Sequence, residues 1–242
     1  MTSDPLPDAD AAVAAGRPTP AQRQPLDRER IVTGALDYIE EHGLASLTMR
    51  RLGSELGVEA MALYRYVPSK EDLLDAVVDS LLTSMQHDER VLREPRDGWQ
   101  DFLQRLAHGV RTVAIRYPQS FPLIASRPPE APWLRPPLRS LEWVETFLNG
   151  LVGEGFGDQA AVAAYRAFSS FLLGHLLLEV ATRGADVGPL DTLDPEHPER
   201  PGLADYPTVE RLRDGLSEDH SAAEFEEALE QLLDRLALVL RD

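Results

Sequence analysis

The sequence predicts an all-α protein, in which an N-terminal three-helix helix-turn-helix domain is followed by a larger helical domain. Three observations lead to this class. Apolar residues recur at helical spacing in successive segments of the 242-residue chain. No segment shows the alternation of apolar and polar residues that marks a strand, and no internal repeat is visible. Stretches rich in proline separate the segments and would break any helix that entered them.

Three regions are predicted along the chain. Residues 1–26 are rich in Pro, Ala and Asp and lack an apolar period, which predicts a disordered arm. Its arginines either contact DNA or are simply solvated, and both alternatives stay open. Residues 27–72 are predicted to form the helix-turn-helix domain, and residues 73–242 the second helical domain.

The first helix is predicted over 28–42, where apolar residues share one face. Gly43 is placed to end it in left-handed geometry. Either Ser46 or Thr48 can cap a second helix, because both side chains can accept a hydrogen bond from a free backbone N–H. A third short helix is expected over 59–66.

Ser69 and Asp72 are spaced almost as in a capping box, which predicts the start of a long fourth helix. Residues 118–137 contain seven prolines and can hold at most one short helix, while 184–207 are predicted to form a polar loop. The remaining helices, the fourth of them weak, are predicted over 99–117, 138–152, 158–183, 208–216 and 222–240.

The amino-acid composition limits the kinds of functional site and partner that the chain can have. The chain has no cysteine, which excludes disulfides, thiolate nucleophiles and cysteine metal sites. The formal net charge of −17 argues at first against a polyanionic partner. Residues 183–242 hold 16 acidic and 6 basic residues, however, whereas 43–70 hold four basic and two acidic residues. Phosphate contacts are screened beyond ~8 Å, so the local positive charge matters more than the total.

The chain shows no evident membrane or secretion signal. No apolar run approaches the roughly 20 residues that a membrane helix requires, and the run Ser170–Val180 is too short. The first residues are acidic and lack a basic region followed by an apolar core, unlike a secretory signal. We therefore expect a cytoplasmic protein without a membrane partner.

The predicted third helix has the composition of a DNA-reading element with few polar groups. The N-terminal residues of a recognition helix face base edges, and here they are Ala60, Met61 and Ala62. These side chains cannot donate hydrogen bonds, but their methyl groups can contact thymine C5-methyls. Polar base contacts are therefore expected from Arg50 and Arg65.

Other side chains of this region suit the DNA backbone. Thr48, Tyr64, Tyr66 and Lys70 can contact phosphates, which position a helix without reading sequence. Two alternatives stay open: Tyr66 could pack on the fourth helix instead, and Arg51 is expected on a solvated face rather than on DNA.

These helices resemble the N-terminal domain of the tetracycline-repressor (TetR-like) family. The resemblance lies in the segments ALDYIEEHGLASLTMRRLGSELGV and ALYRYVPSKEDLLDA, and in Leu63, Tyr64, Tyr66 and Lys70, which match a leucine–tyrosine pair, an aromatic residue and a lysine of that family. After Pro95 the chain also resembles the C-terminal domain of the tetracycline repressors, through GWQDFL, SRP, GEGF, FLLG and FEEALEQLL.

The resemblance implies a ligand-responsive transcriptional regulator, and a repressor in particular. Such C-terminal domains hold a ligand cavity and form a homodimer through a four-helix bundle, whose matching helices here are about 158–181 and 221–241. A two-fold dimer would bind double-stranded operator DNA with palindromic half-sites. No cofactor and no metal site are expected.

The resemblance also guides the prediction of the small-molecule effector. In tetracycline repressors a histidine about one turn before the SRP element engages the drug-bound magnesium, and Leu123 stands near that place here. We therefore expect a largely apolar effector rather than tetracycline–magnesium. Arg127 either anchors an acid or carbonyl of the ligand or forms a surface ion pair. The candidate lining is Leu106, Val110, Leu123, Arg127, Trp143, Tyr165, Ser169 and Ser170.

The sequence supports two other interpretations less well. An enzyme is not predicted, because the sequence contains no nucleophile–base pair, no metal-ligand set and no phosphate-binding loop. His175 and Glu179 are spaced i, i+4 and could hold a metal, but a hydrogen-bonded pair at the dimer seam is favoured. The alternative function is a helical protein-interaction module with a vestigial DNA-binding head, which the apolar third helix and the acidic total would support.

Overall fold

A computed structural model describes residues 25–86, 91, 94–127, 130–131, 133–136, 140–186 and 205–239. All regular secondary structure in these ranges is helical, which confirms the predicted all-α class. The predicted N-terminal arm lies outside the described residues except for its last two positions, and so does most of the predicted loop 184–207.

Ten α-helices are present in the described part of the chain, with one 3-10 turn, Leu44–Ser46, between the first two. In chain order they are α1 Arg28–His42, α2 Met49–Glu55, α3 Ala60–Leu63, α4 Lys70–Gln86, α5 Trp99–Arg116, α6 Pro122–Ser126, α7 Leu141–Gly153, α8 Asp158–Thr182, α9 Pro207–Ser217 and α10 Ser221–Val239.

Local side-chain chemistry sets the ends of the first helices. Thr48, not Ser46, caps α2: its Oγ1 accepts a hydrogen bond from the backbone N–H of Arg51 at 3.2 Å. The Ser46 hydroxyl instead donates to the carbonyl of Gly43 at 2.9 Å. Gly43 has φ 77° and ψ 153°, so its φ is positive as expected, but its ψ is extended rather than left-handed helical.

The third helix is shorter than the sequence indicated. It ends at Leu63, and the N–H groups of Tyr66 and Val67 both donate to the Leu63 carbonyl, at 2.9 and 3.0 Å. Pro68 follows directly and disfavours helical geometry at the residue before it. The chain therefore turns over residues 64–66 and restarts at α4, where the Ser69 Oγ accepts from the backbone N–H of Asp72 at 3.0 Å.

Helices α1 to α4 form a small head around a fully buried apolar core, to which Ile31, Ile39, Leu52, Leu63 and Leu73 contribute. The predicted border at residue 72 falls within α4, so this one helix extends from the head into the second domain. There it packs against α5 and α6, while its other side packs against α1.

In the second domain α8 is the central helix and packs against α5, α7 and α10. By length and composition alone, α8 is apolar enough to cross a membrane, which the shorter run 170–180 did not indicate. The same composition suits the core helix of a helical bundle, and the helices packed against α8 carry the fully buried side chains of Phe102, Leu151 and Phe225.

The expected pairing of His175 with Glu179 is not formed. The Glu179 side chain, 1% exposed, accepts from Arg111 Nε at 3.0 Å and Nη2 at 2.7 Å, and so joins α8 to α5. His175 Nε2 lies 3.3 Å from the Ser221 carbonyl oxygen at the start of α10. A guanidinium offers a carboxylate two charge-assisted bonds, which outcompete a single imidazole contact. No group of three or more His, Asp or Glu within the described ranges could hold a metal.

The close approach of α2 to the following turn yields a stability prediction. A Cβ at Gly53 would lie 2.9 Å from the Val58 carbonyl oxygen and 3.2 Å from the Ala60 nitrogen. We expect Gly53→Ala to lower the free energy of unfolding by roughly 1–3 kcal/mol, because backbone atoms must shift. Urea denaturation followed by circular dichroism measures the change.

Gly153→Ala is the matched control, because a Cβ at this helical position meets no atom within 4 Å. It should leave the unfolding free energy unchanged or slightly raised. Equal losses in the two variants would show that the α2 contact is not the cause.

Candidate nucleic-acid interface and ligand cavity

The exposed side of α3 and the turn after it carries large apolar and aromatic side chains. Met61 is 75% exposed, and Tyr64 and Tyr66 are exposed beside it, whereas Leu63 is fully buried and fixes α3 to the head. Large apolar groups clustered on such a small surface indicate a contact site. Ala60 and Ala62 are half-buried at the same helix.

Two adjacent arginines of α2 differ in what they contact. Arg51 Nη1 donates to the Ser46 carbonyl at 2.9 Å, which ties its side chain to the 3-10 turn. Arg50 and Arg65 are exposed, and neither has a partner among the residues that the structure describes. Their guanidinium groups are therefore available for an acceptor supplied from outside the chain.

The groups expected at phosphates also lie at this surface. The Thr48 hydroxyl uses its oxygen to cap α2 and keeps its O–H available as a donor. Lys70 is the first residue of α4, half-buried, and forms no ion pair within the described ranges. The head thus presents guanidinium, hydroxyl and ammonium donors around the apolar side chains of α3.

A cavity of about 90 Å³ lies in the second domain, between helices α4, α5, α6, α7 and α8. Its lining from the described residues contains no Asp, Glu, Lys, Arg or His. The lining residues are Leu82, Met85, Leu106, Val110, Ile124, Ser140, Trp143, Phe147, Tyr165, Phe168, Ser169, Leu172 and Leu173.

The structure brings together Leu106, Val110, Trp143, Tyr165 and Ser169 of the expected lining. The other three expected residues, Leu123, Arg127 and Ser170, lie outside the cavity wall. Leu123 is buried next to the lining residue Ile124, Arg127 forms ion pairs with α4, and Ser170 is exposed on another side of α8.

The predicted lining did not include the residues of α4 or two of the four aromatic residues, Phe147 and Phe168. Phe168 and Leu172 follow Tyr165 at i+3 and i+7, so helical spacing on α8 could have found them. Leu82 and Met85 belong to α4, from which no lining residue was predicted. No local signal distinguishes a cavity wall from a core position on that helix.

The hydroxyl of Tyr165 is held in its neutral form. It donates to the Pro136 carbonyl at 2.9 Å. Burial raises the pKa of Tyr165 to about 12, and a hydrogen bond with Ser169 offsets only part of this shift. The cavity therefore stays uncharged at physiological pH.

Two sets of polar contacts join the head to the segment around α6. After α6, Arg127 Nε donates to Asp75 Oδ1 at 2.7 Å, and its Nη1 donates to Glu71, so both partners lie on α4. Before α6, the Glu40 carboxylate of α1 accepts from two consecutive backbone N–H groups at residues 119 and 120, at 3.2 and 2.8 Å. The segment that contributes Ile124 to the cavity is thus attached to the head on both sides.

Family models match both parts of the chain. The model described as bacterial regulatory proteins of the tetR family matches residues 31–77. The model described as the tetracyclin repressor-like C-terminal domain matches residues 93–240, which is more than half of the chain. The two matches fall on the head and on the cavity-bearing domain.

Curated relatives of the chain include tetracycline repressors. The class D repressor of Escherichia coli is 32% identical over 153 residues, which span 63% of this chain and 66% of that protein. The class A repressor from transposon 1721 of Escherichia coli is 30% identical over 224 residues, 90% of this chain and 94% of that protein.

Solved structures extend the similarity to the full fold. A possible TetR family transcriptional regulator from Streptomyces coelicolor A3(2) has a TM-score of 0.68 and 31% identity, over 88% of this chain and all of that one. The Streptomyces coelicolor TetR family protein ActR in complex with (S)-DNPA has a TM-score of 0.60 and 26% identity, over 88% and 98%.

Proposed function

Because the chain belongs to the tetracycline-repressor (TetR) family, we propose that it is a ligand-responsive, dimeric DNA-binding transcription regulator. More specifically, we propose a cytoplasmic repressor that a small, largely apolar effector releases from a palindromic operator. One observation carries the mechanism: α4 presents Lys70 at the head and contributes Leu82 and Met85 to the cavity wall. TetR-family regulators are generally non-enzymatic, and the family does not favour the alternative of a vestigial head.

DNA recognition would combine few hydrogen bonds with apolar contacts. Arg50 is the main candidate for a base contact, because it is exposed and unpartnered while its neighbour Arg51 is tied to the backbone. Met61 supplies an apolar group that can contact thymine methyls. Specificity then depends on methyl contacts and DNA shape as well as on guanidinium–base bonds.

Release would follow from the size and position of the cavity. Ligand pockets commonly measure about 300–1,000 Å³, so an effector of ordinary size must enlarge this cavity of about 90 Å³. Leu82, Met85 and Ile124 form part of the wall, and their displacement would move α6 and the part of α4 that lies in the second domain, and with α4 the head. Effector and operator would weaken each other's binding by the same factor.

The effector need not be a tetracycline–magnesium complex. Leu123, near the place where tetracycline repressors carry a magnesium-engaging histidine, is buried and outside the cavity lining. A relative binds (S)-DNPA in its crystal structure, so members of the family hold other ligands. An uncharged apolar lining favours an organic effector that brings no metal.

Dimerisation is proposed through α8 and α10. Leu178 of α8 is 72% exposed and Leu238 of α10 is 62% exposed. On α8, Val162, Arg166, Ser170 and Gly174 lie on the same exposed side as Leu178, at successive intervals of four residues. A second copy packed on this side would bury it and would set the spacing of the two heads.

The DNA proposal is tested with adjacent arginines of equal charge. Duplexes selected by the purified protein from a random library serve as operators in fluorescence anisotropy. Arg50→Ala should weaken operator binding by about 5- to 150-fold, as expected for loss of a base contact of roughly 1–3 kcal/mol. Arg51→Ala removes the same charge from a side chain held by Ser46 and should have a much smaller effect.

Similar losses in the two arginine variants would mean that only net charge matters and would contradict a base contact by Arg50. Competition with unrelated duplexes separates the two cases, because loss of a phosphate contact weakens binding to every sequence alike.

The dimer proposal is tested at α8. Leu178→Asp places a charge in the proposed seam and should shift the protein to a monomer in light scattering coupled to gel filtration. Val152→Asp, at an exposed position of α7, is the control and should leave the dimer intact. A Leu178→Asp dimer of unchanged stability would place the interface elsewhere.

The coupling proposal is tested at the ion pairs of Arg127. Arg127→Met cuts the contacts to Glu71 and Asp75, so an effector found by thermal-shift screening should still bind but should reduce operator affinity several-fold less than in the unmodified protein. Anisotropy with and without effector gives the ratio. Arg105→Met, which removes an exposed pair with Asp101 on α5, should leave the ratio unchanged. An unchanged ratio in Arg127→Met would contradict a role of this link in release.

A further inference from the structure

One polar group in the cavity wall has no partner. Trp143 lines the cavity, and its indole Nε1–H is buried without a hydrogen-bond acceptor among the described residues. A buried donor left unpaired costs free energy, and native structures generally supply a partner or a ligand. The unpaired indole therefore indicates what a ligand in this cavity must offer.

The neighbouring polar groups of the wall already have partners. The Tyr165 hydroxyl donates to the Pro136 carbonyl. The Ser140 Oγ caps α7 by accepting from the backbone N–H of Trp143 at 3.4 Å. Ser169 hydrogen-bonds with Tyr165. The Trp143 Nε1–H is thus the one donor of the described wall that is both buried and without any hydrogen-bond partner.

The described residues of the cavity wall include no charged side chain that could pair with a charged ligand. Arg111 of α5 is already paired with Glu179, and Arg127, which follows α6, is paired with Glu71 and Asp75. An ion entering the cavity would lose its hydration without compensation. The aromatic side chains of the wall favour a flat, apolar body instead.

We propose that the cavity binds an uncharged, flat aromatic ligand whose carbonyl oxygen accepts a hydrogen bond from Trp143 Nε1. This proposal rests on the proposed function, since it defines the chemical class of the effector. It makes Trp143 the residue that selects among apolar ligands of equal shape.

Three probes of nearly equal shape test the class: 9-fluorenone, which has a carbonyl oxygen, fluorene, which has none, and 9-fluorenone-4-carboxylate, which is charged. Equilibrium dialysis at neutral pH gives their affinities. Fluorenone should bind about 3- to 10-fold more tightly than fluorene, as expected for one net hydrogen bond. The carboxylate should bind at least about tenfold more weakly than fluorenone.

The role of the indole is tested with Trp143→Phe, which keeps an aromatic ring but removes the donor. It should abolish the preference for fluorenone over fluorene, whatever its effect on both affinities. Trp133→Phe is the control, because Trp133 is 76% exposed and outside the lining; it should keep the preference. Thermal melts followed by circular dichroism check that both variants fold.

Three results would overturn the proposal: a preference that survives in Trp143→Phe, a carboxylate that binds as tightly as fluorenone, or no binding of fluorenone at its solubility limit. None of these measurements contains DNA. A protein that shows the probe preference but binds no operator would contradict the proposed function alone, whereas an operator-binding protein without the preference would contradict only the ligand class.

Discussion

The packing of α4 on two cores is the constraint on which the rest of the structure depends. Leu73, Val77 and Leu81 are buried, and the helix packs against α1 on one side and α5 and α6 on the other. Packed interiors are dense and resist continuous deformation, so a helix shared by two cores transmits a displacement from one to the other. The head and the cavity can influence each other because α4 contributes side chains to both.

Polar contacts attach one part of the cavity wall to the head and join other wall helices to each other. Arg127 and Glu40 fasten the segment around α6 to α4 and α1. On the opposite side, the buried pair of Arg111 and Glu179 fastens α5 to α8, and separation of such a pair is costly. We therefore expect an entering ligand to displace α4 and α6 rather than to separate α5 from α8.

The residues that line the cavity could be predicted only in part, because the sequence does not show which side of each helix faces the cavity. Leu106 lies in the cavity wall, whereas Ser170 was predicted together with Ser169 but is exposed, and Leu123 was predicted where Ile124 lines the cavity. Adjacent residues on a helix point about 100° apart, so a shift of one position moves a side chain to another surface. On a helix as uniformly apolar as α8, no polar face marks which side is which.

The sequence by itself determined the all-helical class, the head and the cap at Ser69, because capping groups and apolar periods act over a few neighbouring residues. The choice of Thr48 over Ser46 as the cap of α2 required the structure. Only the tertiary structure decided what distant groups contact. Arg127 pairs with acids more than 50 residues away rather than lining the cavity, and His175 lies against the Ser221 carbonyl rather than Glu179. These outcomes depend on which helices meet, and that depends on the packing of whole apolar faces, which no local pattern encodes.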